Sequence, residues 1–349
     1  MLPRSLILLK KKLAKMSEPN KFILRVQCST YNHAAYIIDA LNGFVMQQTN
    51  FPFVCTIMDD ASTDGAQEVI KGFVEQNFDL QDQAIGFDKD SDYGHITYAR
   101  HKTNKNCYFV VLYLRENHFR QKKSRGPYIT DWVDTKYIAL CEGDDFWTDS
   151  AKLQKQVDFL ETHEDYSLCF HKVDVMSDQE QDKRLFSYLK EGDYGAREIY
   201  RSWIVPTCSA MWRYEGKAIE SHPSVVFGDI FAWLQLAERG KLYCMGFVGA
   251  IYRRHGGSAS RGYSVETSIK LYKQYKFFEK RFPDLKDISR RKQEEEGLAD
   301  IIKAPYFPGI WKYRFLYMFR HRRLFFSSFF IETVFEYTPI RNLLFWKKK

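Results

Sequence analysis

Apolar residues along the chain gather into short continuous runs separated by helical spacings, and each run ends in polar side chains. Phe22 to Cys28 reads as a strand, and Ala35, Ile38, Leu41, Val45 and Met46 mark one face of a following helix. Phe53 to Met58 gives a second strand, with Val69, Ile70 and Phe73 on the next helix. Tyr108 to Leu114 is a third, delayed by a segment rich in Asp, Lys and Asn, 79–107, which reads as an inserted surface loop. Tyr137 to Cys141 follows, then a helix over 151–163 and a strand from Ser167 to Val173, with 174–200 polar and irregular. Thr207 to Trp212 and Phe247 to Tyr252 read as strands on either side of a helix from Asp229 to Arg239 that stops at Gly240. Beyond 264 the spacing is helical. Alternation of this kind predicts an α/β fold with a mostly parallel sheet and crossover helices. The expected division is a basic extension over 1–20, the α/β domain over 21–262 and a helical region over 263–349.

In an open parallel sheet the C-terminal strand ends meet along one edge, where ligands bind. Strand one ends in Ser29-Thr30-Tyr31-Asn32-His33, strand two in Asp59-Asp60-Ala61-Ser62-Thr63-Asp64-Gly65, and strand four in Cys141-Glu142-Gly143-Asp144-Asp145-Phe146-Trp147. Glu142, Asp144 and Asp145 repel one another unless a cation sits among them, and hard oxygen ligands suit Mg²⁺ or Mn²⁺. A metal held by few protein oxygens completes its shell with water and phosphate, which points to a phosphate-carrying substrate. Each cluster also has a plainer reading: Thr30, Asn32, Ser62, Thr63, Asp64 or the Thr148-Asp149-Ser150 run can cap the helix that follows.

For a nucleotide, Asp60 can accept from a uracil N–H while Thr30 and its backbone hold base and ribose. Lys122, Lys123 and Arg125, before Gly126-Pro127, supply cationic phosphate contacts or form a solvated basic loop. An acceptor hydroxyl needs a general base, and Asp229 stands where either a base or an N-cap fits. Trp147 and Trp212 are candidates for stacking on sugar rings, against the commoner fate of core aromatics.

Composition adds compartment and charge. Seven cysteines at 28, 55, 107, 141, 169, 208 and 244 are scattered, with no CxxC pair, which suits reduced core thiols and a cytoplasmic location rather than structural zinc. The net charge of +8 sits at the ends: +5 in residues 1–15 and +7 in 305–349, leaving −4 between them. The N-terminal Leu2, Leu6, Ile7, Leu8 and Leu9 precede the lysines, the reverse of an export signal. Residues 305–349 interleave fifteen aromatics with nine Lys or Arg, and no uncharged run there exceeds that of Leu324 to Ile331. That composition predicts a peripheral contact with an anionic membrane surface, not a span, with a helical cap on the core as the plainer reading. Nucleic acid is not expected as a partner.

Together the Ser29 to Asn32, Met58 to Asp64, Tyr137 to Trp147, Gly228-Asp229 and Tyr252-Arg253-Arg254-His255 segments make the chain resemble the family 2 glycosyltransferases of the GT-A fold, many of which build bacterial surface polysaccharides. The resemblance covers residues 22–260. It implies a metal-dependent (Mn²⁺ or Mg²⁺) inverting transfer from a UDP-sugar donor to a glycan or lipid-linked acceptor, on the inner face of the cell membrane. By that resemblance Thr30, Tyr31, Asn32 and Asp60 hold the nucleotide, with Asp60 at the uracil. Asp144 is the central metal-binding aspartate with Glu142 and Asp145 beside it, His255 lies near metal or diphosphate, and Asp229 is the catalytic base. Glu142 stands where the family usually has Asp. The rival readings are a sugar nucleotidyltransferase, which usually carries a Gly-rich basic loop absent from Ser29 to His33, and a non-catalytic glycan- or nucleic-acid-binding module whose acids are only caps.

Overall fold

The continuous apolar runs become central strands. In this computed structural model the described residues are 7, 8, 11, 22–82, 86–91, 93–123, 133–177, 179, 182, 185–214, 216–256, 264–298, 301 and 310–320. In chain order the first unit contains β1 (Leu24–Thr30), α1 (Ile37–Val45), β2 (Phe53–Asp59), α2 (Ala66–Asn77), β3 (Phe78–Asp79), β4 (Phe87–Ser91), β5 (Gly94–His101), β6 (Cys107–Leu114), β7 (Tyr137–Leu140) and β8 (Phe146–Trp147). It continues with α3 (Lys152–Thr162), β9 (Tyr166–Ser177), β10 (Gly192–Tyr194), α4 (Ala196–Arg201), β11 (Met211–Arg213), α5 (Gly228–Ala237, whose first turn groups with the second unit) and β12 (Lys241–Arg254). Every residue of β2 and β6 is buried, as strands covered on both faces require.

One sheet holds them in the order β10-β12-β9-β11-β7-β1-β2-β6-β5-β3, with β4 paired to β5 and β8 to β12. β7, β1, β2 and β6 are mutually parallel, and β12 runs parallel to β9. The short strand β11 is antiparallel to both β7 and β9 and joins the two parallel groups. This is the mixed, mostly parallel α/β sheet that the alternation predicts.

The 79–107 segment corrects the sequence reading, because it is sheet rather than loop. β5 pairs antiparallel with β6, and β4 with β5. Ile96 and Tyr98 of β5 are fully buried against Val54, Met58, Val110 and Leu112. Their partners in alternation, His95 and Thr97, bond to Asp88 of β4 at 2.7 and 2.8 Å. A period-two strand with one face in the core and the other bearing paired polar groups has the average composition of a loop, and that average concealed it. Other differences are shorter. The 174–200 region holds the end of β9, β10 and the start of α4. Thr207–Ser209 is a 3₁₀ turn before β11. α1 buries Ile37, Ala40, Leu41 and Phe44 and leaves Ile38 37% exposed, a rotation of the expected face.

The chain divides into two units, residues 1–219 with 232–256, and residues 220–231 with 257–349. The second unit is helical in its described residues: α6 (Val265–Arg281), α7 (Lys286–Lys292) and α8 (Ile310–Arg320). Ser264 Oγ accepts the Thr267 N–H at 3.2 Å and caps α6. Within this unit α8 buries Ile310, Arg314 and Met318, one stripe at helical spacing, and Ile310 packs with Tyr272, Leu298 and Ile301. The described part of the basic aromatic region is therefore a packed helix, with Trp311 and Phe319 left 43% and 67% exposed. Residues 321–349 lie outside the described residues. No helix among the described residues is long and apolar enough to cross a membrane.

Candidate active site

Register decides where the chemistry collects. Thr30 is level with Asp59 and Gln27 with Leu140, so β1, β2 and β7 end on one edge. Beyond Leu140 the chain keeps following β1: the Cys141 N–H donates to Gln27 O and the Gly143 N–H to Ser29 O, both at 3.1 Å. A Cβ on Gly143 would lie 2.6 Å from Thr30 Oγ1 and 2.9 Å from Ile37 Cδ1. Only glycine allows the loop this close, and the approach sets Glu142 and Asp144 over the end of β1.

β12 closes the other side. Its Ala250 and Ile251 pair with Trp147 and Phe146 of β8, which brings Arg253 and His255 beside the acidic loop. Arg253 holds that loop at two points and ties it to α1: its N–H donates to Asp145 Oδ1 at 2.7 Å, Nη1 donates to the Asp144 carbonyl at 2.7 Å, and Nη2 pairs with Asp39 Oδ2 of α1 at 2.8 Å. The guanidinium also lies 4.9 Å from the ring centroids of Tyr36 and Phe146. A planar fork with several donors can fix a carbonyl and a carboxylate simultaneously.

Around Asp144 two imidazoles converge. His255 Nε2 is 3.2 Å and His33 Nε2 3.9 Å from Asp144 Oδ2, and all three side chains are partly exposed. These three groups can place one donor atom each within 4.8 Å of one another, as can Glu142, Asp144 and Asp145. Burial lowers the pKa of His33 against the opposing charge of Asp144, with a smaller lowering from His255. Asp145 is 1% exposed, and desolvation and then the Asp144 charge push its pKa well above the ordinary carboxylate range.

The loops after β1 and β2 are stitched together. The Asn32 N–H donates to Ser62 Oγ at 2.9 Å, Asn32 Oδ1 accepts the Thr63 N–H at 2.8 Å, and Asp64 Oδ2 accepts the Ala34 N–H at 2.8 Å. Asn32 adopts φ +57°, a left-handed conformation its short side chain tolerates. Asp64 also accepts the Ala66 N–H at 3.1 Å at the start of α2, whose N-cap position is Gly65. Asp59 is taken up internally by Ser62 and Gln67. Asp60 is 3% exposed, and its two oxygens accept the His118 and Phe119 N–H groups at 2.7 and 3.0 Å, anchoring the loop after β6. Thr30 Oγ1 is buried with no hydrogen-bond partner, and Tyr31 carries the Arg120 guanidinium 5.4 Å from its ring centroid.

The structure thus brings Thr30, Tyr31, Asn32, Asp60, Glu142, Asp144, Asp145 and His255 to one edge of the first unit. Trp147 and Trp212 are corrections. Trp147 is 2% exposed, donates Nε1–H to the Cys208 carbonyl at 2.8 Å and packs on Phe44, and Trp212 is 5% exposed against Trp233. Neither ring offers a face to a sugar. Trp212 lies on β11, which sits between β7 and β9 inside the sheet, and Trp147 lies on the short β8, which pairs with β12 and packs its ring on Phe44 of α1. Lys123 pairs with Glu116 at 2.7 Å, and Arg125 lies outside the described residues. Asp229 belongs to the second unit, in the first turn of α5, where its Oδ1 accepts the Ile230 N–H at 2.8 Å. His33 is the residue that the sequence reading passed over as a ligand, although it closes the polar run after strand one. All seven cysteines are free and buried.

No known protein-family model matches the chain. It is 29% identical over 227 residues, 65% of its own length, to uncharacterized proteins of Mycobacterium bovis and Mycobacterium tuberculosis, and spans 57% of those proteins. Among solved structures, residues 1–349 of S. aureus TarS in complex with UDP-GlcNAc superpose with a TM-score of 0.50 at 13% identity, covering 91% of this chain and 77% of that TarS chain. A mannosyltransferase from Pyrobaculum calidifontis, crystallised with GDP-Man and Mn²⁺, gives a TM-score of 0.48 at 14% identity over 99% of this chain and 96% of that one. The fold is the GT-A type, a mostly parallel sheet flanked by helices.

Proposed function

We propose that the protein is an inverting glycosyltransferase that moves a sugar from a nucleotide-sugar donor, of the UDP-hexose kind, to a hydroxyl of a glycan or lipid-linked glycan in cell-surface polysaccharide synthesis. One observation carries the reading: Asp144, flanked by Glu142 and two imidazoles, stands over the end of β1 beside the stitched Asn32–Thr63 loops, in a fold shared with a protein crystallised on UDP-GlcNAc.

The residues present fit a divalent cation. Asp144 and its neighbours supply oxygen and nitrogen donors, and Gly143 lets the loop that carries them lie close against Thr30. When bound, Mn²⁺ or Mg²⁺ would contribute charge that stabilises a departing diphosphate. Asn32 and Tyr31 border the nucleotide site, and the unpartnered Thr30 hydroxyl is a donor or acceptor for ribose. A carboxylate has about four acceptor positions, so Asp60, with two filled by the loop, retains capacity for a base N–H. Asp229 takes the proton of the acceptor hydroxyl, whose oxygen attacks the anomeric carbon as the nucleoside diphosphate leaves. A single displacement inverts that carbon. Trp311, Phe319 and the basic residues that follow suit a peripheral site on an anionic membrane, close to a lipid-linked acceptor.

The test is a panel of sugar nucleotides assayed with and without Mn²⁺ for release of the nucleoside diphosphate and for the anomeric configuration of the product. Metal-dependent turnover of one donor with inversion is expected. Retention of configuration would remove the single-displacement step, and no turnover of any donor together with no nucleotide binding would remove the enzyme reading. Asp229→Asn is expected to cost at least about 10²-fold in turnover with donor affinity nearly unchanged, the scale of a positioned base.

A further inference from the structure

The short segment that carries Asp229 is fastened to a single helix of the second unit. Resting on the function proposed above, we propose that Gln274 of α6 is a positioning residue for Asp229, so that the helical unit takes part in the transfer step itself.

Residues 220–231 group with α6 in the second unit. Gln274 is 1% exposed, and its Oε1 accepts the Val226 N–H at 2.6 Å and the Phe227 N–H at 3.1 Å. Amides at a helix start have no partner within the helix, and here one side-chain oxygen takes the two that lead into α5. Upstream, the His222 carbonyl accepts the Val225 N–H at 2.9 Å and His222 Nδ1 accepts the Ser224 N–H at 3.1 Å. The imidazole of that turn lies flat on Phe277, with 3.8 Å between centroids and 6° between planes. Downstream, Phe231 is 2% exposed and packs on Phe277, Phe278 and Phe282 at 5.6, 5.6 and 6.0 Å.

Gln274, Phe277 and Phe278 stand at i, i+3 and i+4, on one face of α6. That face therefore fixes Asp229 from both directions, through Phe227 before it and Phe231 after it. α6 is held in turn by Gln293, which donates to Glu279 Oε2 at 2.9 Å, and by Tyr272, which packs with Leu298, Ile301 and Ile310. Packing alone does not call for an amide at position 274, because a buried polar group costs free energy unless it is bonded. Its oxygen is spent on the turn that aims Asp229. A general base must meet its proton within hydrogen-bond reach, and a misplacement of about 1 Å costs on the order of 10²-fold.

Gln274→Met keeps the volume and removes the acceptor. Hydrogen exchange on the full-length chain, which needs no ligand, should show the Val226 and Phe227 amides protected in the wild type and exchanging in this variant. With UDP-GlcNAc, UDP-glucose and GDP-Man as donors, kcat for the donor turned over is expected to fall by up to about 10²-fold with its KM nearly unchanged. Gln274→Glu keeps an oxygen at the same reach and should restore most of that loss. In an Asp229→Asn background Gln274→Met should cost no more than about 2-fold, the scatter of independent sites, because the group it positions is gone. Where the methionine variant does not fold, His222→Ala removes an exposed part of the same turn and should lower kcat in the same sense. An unchanged kcat, or a Gln274→Met loss as large in Asp229→Asn as in the wild type, would overturn the positioning role and leave Asp229 as the base. Wild-type turnover in Asp229→Asn, or no turnover of any donor by the intact chain, would overturn both.

Discussion

Gly143 shows how little room the site allows a single side chain. Gly143→Ala would place a methyl group against Thr30 and Ile37, and the expected cost is about 1–3 kcal/mol of stability, the range for overpacking, read from urea unfolding. Unchanged stability would mean that the loop stands off β1. Lys152 poses a separate question of charge. It is fully buried, its ammonium donates to Gln156 Oε1 at 2.7 Å and lies 4.0 Å from the Trp147 ring centroid, and burial lowers its pKa to about 8. Unfolded lysine titrates near about 10.4, so between those two values the unfolded chain holds more protons, and this residue's contribution to stability rises with pH. Below pH 8 its burial costs most, on the order of 3 kcal/mol at 1.36 kcal/mol per unit. The stability difference, Lys152→Met minus wild type, should therefore be more favourable to the variant at pH 7 than at pH 10. A difference independent of pH would contradict the burial of a titrating ammonium.

At the level of elements, β12 does more than extend the sheet, because Arg253 ties α1, the acidic loop and its own strand together. Arg253→Lys keeps the charge and loses the fork that holds the Asp144 carbonyl, and a loss of Mn²⁺ affinity of about 10- to 100-fold is expected, with the fold retained by circular dichroism. Undiminished affinity would reduce Arg253 to a packing role. Much of this layout was readable beforehand. β1, β2, β6 and β7 are interior parallel strands whose apolar runs need no context, and their polar ends name the edge on which Asn32, Asp60 and Asp144 meet. Two kinds of information were not readable. β4 and β5 hide a period-two pattern inside a charged segment, and the burial of Trp147 and Trp212 depends on packing against Phe44 and Trp233, residues distant in sequence. His33 lies in an expected cluster, but its place beside Asp144 follows from the packing of Tyr36 and the arrival of His255 from over two hundred residues downstream. Linear spacing does not encode that meeting.

For the molecule as a whole, the proposed function assigns the cation and nucleotide groups to the α/β unit, and the membrane contact together with the base Asp229 to the helical unit. α8 belongs to the core of the helical unit through Ile310 and Met318, so a truncation at 305 would expose Tyr272 and Leu298 and confuse misfolding with loss of membrane contact. Removal of residues 321–349 leaves α8 in place and takes away six of the nine Lys or Arg of the 305–349 segment. Co-sedimentation with anionic vesicles should be lost in that truncation and weaken with salt in the intact chain. A full-length protein that ignores anionic vesicles would end the membrane proposal without touching the catalytic one.

The most direct measurement is isothermal titration of UDP into the full-length protein, with and without Mn²⁺, in the wild type and in Asp144→Asn. Binding that requires Mn²⁺ in the wild type and disappears in the variant, while the variant's circular dichroism and melting remain native, is the predicted result. Equal UDP binding with and without metal, or an Asp144→Asn variant that binds as the wild type does, would contradict a cation-bridged diphosphate at the end of β1.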